Sequence, residues 1–130
     1  MDDLFDDDIL QPAPEVDGMV ILSVANAYKK QYYLNPKFAK LPETIQEELQ
    51  IMCVLFTEEI GGIFTLEFDD HGNLQFKTEA TEADGFYDDI GGALKIKKLR
   101  VEKEELLESL EMYYRVFFLG EDVDKEKTEE

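Results

Sequence analysis

The chain has 130 residues, 44% of them hydrophobic, and a formal charge of −18 from 31 acidic and 13 basic side chains. That length suits one domain rather than two, and it lets roughly two-thirds of the unfolded surface be buried without covalent staples. A field so negative repels phosphate backbones and anionic lipid headgroups, which argues against nucleic-acid and membrane-surface binding.

Residues 1–17 read as a disordered acidic tail, since residues 1–18 hold seven acids and no base. Leu4-Phe5 and Ile9-Leu10 flank Asp6-Asp7-Asp8, and Phe5 and Ile9 would share one face of a helix formed on contact with a groove. Gln11-Pro12-Ala13-Pro14 follows as a stiff linker that cannot continue a helix. The acidic start lacks the basic residues of a secretory signal, and no apolar run approaches the ~20 residues that cross a bilayer. The cytoplasm is therefore the expected location.

The folded domain is expected over residues 18–120. Met19 to Val24 is a short run rich in β-branched residues and reads as a strand, a buried helical turn being the alternative. Ala25 to Leu34 reads as a short helix ended by Asn35-Pro36. Pro42 then opens the clearest helix, which runs to Ile60 with Ile45, Leu49, Met52, Phe56 and Ile60 on one stripe. From Ile51 to Phe56 it is apolar on all sides, which predicts that this half is central to the core. Cys53 lies in that stretch and is the only cysteine, so an intramolecular disulfide and a four-cysteine zinc site are both excluded. It reads as a core residue rather than a nucleophile, because nothing nearby supplies exposure or positive charge.

Gly61-Gly62 stops the helix. A hairpin is predicted from Gly62 to Ala80, with Phe64, Leu66 and Phe68 alternating on one strand and Leu74, Phe76, Thr78 and Ala80 on the other. His71, the only histidine, falls in the loop Asp69-Asp70-His71-Gly72-Asn73 and reads as a turn residue, since a general base needs an orienting partner or a nucleophile. The same loop fails as a calcium loop, because its glycine is misplaced and the closing glutamate is missing.

After a loop around Gly85 the chain reads as helical, with Gly91-Gly92 at its start or a break and Gly120 at its end. Ile96, Leu99, Lys103, Leu106, Leu110, Tyr113 and Phe117 follow alternating three-four spacing, which suits the inner face of a helix on a sheet or, alternatively, a coiled-coil dimer seam. Lys95, Lys97, Lys98, Arg100 and Lys103 form one basic cluster. It would serve as a solvated face balanced by Glu102, Glu104 and Glu105, or as a seat for a phosphate or an acidic tail. Residues 121–130 read as a second disordered, charged tail.

Two acid-acid-Ile-Gly-Gly segments stand thirty residues apart, ending at Gly62 and Gly92. Glu58 and Glu59 oppose the negative end of a helix dipole. Together with Asp88 and Asp89 they would form a hard-cation site if all four converged, the alternative being a solvated helix end beside a coincidental repeat. No phosphate-binding glycine loop, nucleophile elbow or metalloprotease helix is present.

The segments Asn26-Ala27-Tyr28, Tyr32 to Asn35, Leu41-Pro42, Glu48 to Glu58, Gly61-Gly62, Leu94 to Lys97 and Tyr113-Tyr114-Arg115 together resemble a family of small uncharacterised bacterial proteins, catalogued as a domain of unknown function. The resemblance covers about residues 19–120, leaves both acidic tails outside, and is most specific around Cys53. It implies a bacterial cytoplasmic protein of one domain and supplies no activity, ligand or site residue.

The expectation is an α+β fold: a central helix, an antiparallel hairpin with a possible third N-terminal strand, and a C-terminal helical region packed on the sheet. For function, a non-enzymatic interaction or adaptor protein with a protein partner ranks first. An acidic chaperone-like dimer ranks second. A metal-dependent enzyme using Glu58, Glu59, Asp88 and Asp89 ranks third. No residue is assigned as catalytic, cofactor-binding or metal-ligating, no cofactor is expected, and both a monomer and a homodimer fit.

Overall fold

The computed structural model describes residues 18–121; the tail expected over residues 1–17, and nearly all of the one expected over 121–130, lie outside the described residues. In chain order the elements are β1 (Val20–Asn26), β2 (Gln31–Leu34), a 3₁₀ turn (Pro36–Phe38), α1 (Glu43–Ile60), β3 (Ile63–Phe68), β4 (Leu74–Glu79), α2 (Asp89–Glu102) and α3 (Glu104–Phe117). The four strands form one antiparallel sheet in the order β2-β1-β3-β4, and the three helices pack on it. The architecture is α+β, with the N-terminal strand joined to the predicted hairpin.

The short helix expected over residues 25–34 is instead the second half of a β1–β2 hairpin. Asn26 Oδ1 accepts the backbone N–H of Tyr28 at 2.9 Å and of Lys29 at 3.1 Å. An asparagine side chain used in this way closes a turn instead of starting a helix. Beyond it, β2 alternates: Tyr33 joins Val24 and Ile63 on one face of the sheet, while Tyr32 and Leu34 pack towards the main core on the other. Strand pairing and burial outweigh the local helical pattern.

A β-bulge at Leu22 separates the Ile21–Glu67 and Ser23–Leu66 pairs, so Leu22 and Ser23 are both fully buried. Asn35 supports the bulge: its N–H donates to the Leu22 carbonyl at 2.9 Å and its Nδ2 to the Ile21 carbonyl at 2.7 Å. A bulge shifts side-chain parity within a strand. Here it places Ser23 Oγ 3.8 Å from Cys53 Sγ.

α1 buries Leu49, Met52, Cys53, Phe56, Thr57 and Ile60 against the sheet, and Phe56 stacks on Phe64 with ring centroids 3.8 Å apart. The expectation that the helix is enclosed from Ile51 to Phe56 does not hold: Ile51 and Leu55 are 58% and 54% exposed. The sheet lies on one side of the helix only. Just two residues join α1 to β3. A Cβ at Gly62, where φ is +76°, would lie 2.5 Å from the Glu79 carbonyl oxygen, so only glycine fits this reversal.

The predicted C-terminal stripe is divided. Lys103 (φ −109°, ψ 27°) leaves helical geometry between α2 and α3. A straight helix of that length would span roughly 43 Å, far more than the roughly 20 Å of a six-residue strand. The bend keeps Leu99 at the end of α2 and Leu106, Leu107, Leu110 and Tyr114 of α3 on one core. Phe117, the last position of the stripe, falls outside it at 70% exposure. Phe38, Phe68, Tyr114 and Phe118 make an aromatic cluster beneath α3, with Tyr114 stacked on Phe68 at 4.3 Å and Phe38 on Phe118 at 4.8 Å. Such pairs add to their area burial.

Replacing Phe56 by alanine empties a fully buried site, and urea unfolding should show a loss of about 3–5 kcal/mol. The neighbouring Leu55→Ala should change stability by no more than about 0.5 kcal/mol, as expected for a surface position.

Candidate functional site

At one flank of α1 the β1–β2 turn leaves a cleft of about 430 Å³. The turn supplies Asn26, Lys30, Gln31 and Tyr32; the helix supplies Gln50, Val54, Thr57 and Glu58, whose spacing puts them along one side of α1. Lys30 has φ +53° and is the one non-glycine residue with positive φ among the described residues. A left-handed residue is what closes a hairpin turn of this kind.

The cleft collects polar groups that the fold does not satisfy. Asn26 is 2% exposed, and while its Oδ1 closes the turn, its Nδ2 has no hydrogen-bond partner among the described residues. The Tyr32 hydroxyl is buried as well and lies towards Ser23 and Cys53 in the core. Burial pushes its phenol well above the ordinary value, with Cys53 adding to the rise and a hydrogen bond with Ser23 opposing it. A buried polar group without a partner costs about 1–3 kcal/mol, so the Asn26 Nδ2 beside the cleft calls for an explanation. The side chains of Lys30, Gln31, Gln50 and Glu58 make no hydrogen bond or ion pair with another described residue. Thr57 Oγ1 donates to the Val54 carbonyl at 3.0 Å and keeps its acceptor capacity.

The four carboxylates weighed as a metal site are placed separately, Asp89 standing in the first turn of α2. Glu58 lines the cleft, Glu59 pairs with Lys95 at 3.1 Å, and Asp88 caps α2 by accepting the Gly91 N–H at 2.8 Å. Their glycine segments do meet, for Gly92 packs against Ile60. The carboxylates do not, and no three His, Cys, Asp or Glu side chains among the described residues form a group able to hold a metal ion.

His71 is an exposed loop residue. Asp69 organises that loop by accepting the N–H groups of His71 and Asn73, both at 2.9 Å, and the Gln75 amide at 3.1 Å. Partial burial works against the Asp69 charge, but the Asn73 and His71 N–H groups and the Gln75 amide hold its carboxyl below the usual carboxylate range. Arg115 of α3 clamps the same loop, with Nη2 donating to Asn73 Oδ1 at 2.6 Å.

The basic cluster is partly engaged. Lys95 holds Glu59, Lys98 lies 3.8 Å from Glu102, and Arg100 sits 4.5 Å above the Phe76 ring. Between these cations runs a feature that the sequence reading missed. Ile90, Leu94 and Val101 are 76%, 60% and 75% exposed, and with Lys97 they recur at spacings of four, three and four, which is one face of a helix. That face points away from buried Leu99. On α1, exposed Leu55 lies one turn before Glu59, so the Lys95 bridge sets it beside α2.

A four-stranded antiparallel sheet covered by three helices, with a polar cleft beside the central helix and an exposed apolar face on α2, defines a small α+β domain. The chain belongs to the Family of unknown function (DUF6145), which matches residues 19–122 and so takes in both surfaces but not the acidic residues 1–18. No curated protein and no solved structure matches the chain. Among the described residues, no helix is long and apolar enough to cross a membrane.

Burial pushes the Cys53 thiol up to about 12, opposed slightly by the Ser23 hydroxyl. The unfolded thiol ionises near ~8.5, so the stability due to the neutral buried form is complete below that pH and declines as pH rises towards 12. Urea titrations should show a fall of about 1 kcal/mol between pH 7 and pH 9.5, and this component should be missing in Cys53→Ala. A thiol reagent at pH 8 should modify Cys53 only under denaturing conditions.

Proposed function

We propose that the protein is a non-enzymatic interaction protein that holds an acidic, apolar segment of a protein partner on the outer face of α2. The observation that carries this reading is the exposed line of Ile90, Leu94 and Val101, with Lys97 on it and Lys98 beside it. Apolar side chains exposed together on one helix face mark a docking surface more often than singly exposed ones. The cations select the partner's chemistry: in a chain of charge −18 they form the one basic cluster, and they attract carboxylates placed near an apolar strip. A cytoplasmic setting fits this role, because the chain's single cysteine is a buried free thiol.

The test is amine-directed cross-linking of the full chain in cell extract, comparing the parent with the double variant Leu94→Glu, Val101→Glu. Both positions are exposed, so the variant should keep the parental circular dichroism. A partner joined through Lys97 or Lys98 by a segment that is both acidic and apolar, and reduced about tenfold in the variant, is the expected result. Unchanged capture, or cross-linked segments lacking that chemistry, would overturn the reading. A particle of twice the chain mass that the variant dissociates would assign the stripe to a second copy, as in a chaperone-like dimer.

A further inference from the structure

We infer that the cleft between the β1–β2 turn and α1 is a binding site for a small zwitterion of the amino-acid type, carrying one carboxylate and one ammonium group. The site shares no lining residue with the α2 face, and the inference does not depend on the interaction role.

Its lining contains one cation, Lys30, and one anion, Glu58, and neither is paired with another described residue. Around them stand carboxamides from Gln31 and Gln50 and, beneath, Asn26 Nδ2, which has no hydrogen-bond partner among the described residues. Buried polar groups are hydrogen-bonded in nearly all native structures, so a donor such as Asn26 Nδ2, in a side chain 2% exposed, marks a place where a partner is supplied from outside the fold. The mixed charge selects the ligand. A net anion would meet Glu58 and the −18 of the chain, and a net cation would leave Lys30 without a counter-charge. A zwitterion is neutral overall, and it sets its carboxylate against Lys30 and its ammonium against Glu58. At about 430 Å³ the cleft is in the size range of small-molecule sites.

Lys30 closes the β1–β2 turn at φ +53° and so carries its cationic side chain beside the cleft.

The experiment is a two-dimensional amide NMR titration of the full chain with each free proteinogenic amino acid, up to about 10 mM, which saturates sites of millimolar Kd. At least one should give saturable shifts centred on Lys30, Gln50 and Thr57. Acetylation of its amine, or conversion of its carboxylate to an amide, should weaken binding about tenfold or more. Lys30→Gly, which relieves the left-handed strain and should melt no lower than the parent, should weaken binding by a similar factor, as should Glu58→Gln at its exposed position. No saturable shift with any amino acid would overturn the inference. Shifts centred elsewhere would do the same, as would equal binding of ligands lacking either charge.

Discussion

The cleft and the exposed α2 face both take their position from one constraint, the burial of α1 across the inner face of the sheet. A four-stranded antiparallel sheet has two faces, and the apolar one must be covered. α1 does this with Leu49, Cys53 and Phe56, all at zero exposure, and with the Phe56–Phe64 stack. The two-glycine reversal at Gly61-Gly62 returns the chain directly into β3. Hydrophobic burial is non-directional, so the direction comes from this tight link and from the aromatic cluster around Phe38 and Tyr114 at the other end of the core.

With α1 fixed, adjacent residues on it serve opposite flanks. Glu58 opens onto the cleft beside the β1–β2 turn, while Glu59 reaches Lys95 and anchors α2. The acid pair that looks like a metal-binding motif in the sequence is thus split by helix geometry, since neighbouring residues on a helix point about 100° apart. One carboxylate is structural. The other lines a cleft and has no partner among the described residues.

Two asparagines show how the fold distributes polar satisfaction. Asn35 is fully used: its Nδ2 donates to the Ile21 carbonyl and its Oδ1 accepts from Lys37 N, which holds the β1 bulge and starts the 3₁₀ turn. Asn26 is as deeply buried, yet only its oxygen is used. The two residues have the same chemistry and similar burial. The unused donor at the cleft is therefore a property of that site, not of asparagine in a sheet.

Much of the fold was legible in the sequence because its signals are local. Proline and glycine mark the ends of α1, alternation marks β3 and β4, and β-branched residues mark β1. The family membership of residues 19–122 also agrees with the resemblance carried by the stretch around Cys53. β2 was misread because Asn26 acts through a side-chain turn that has no periodicity, and that error hid the cleft, half of which comes from the misread segment. The α2 face was hidden for a different reason. Its spacing is visible in the sequence, but α2 is apolar on two sides, with Leu99 on one and Leu94 on the other. Composition and periodicity settle which elements form. Which side of a doubly apolar helix meets the sheet, and which polar groups are left unpaired, are decided only when the elements pack.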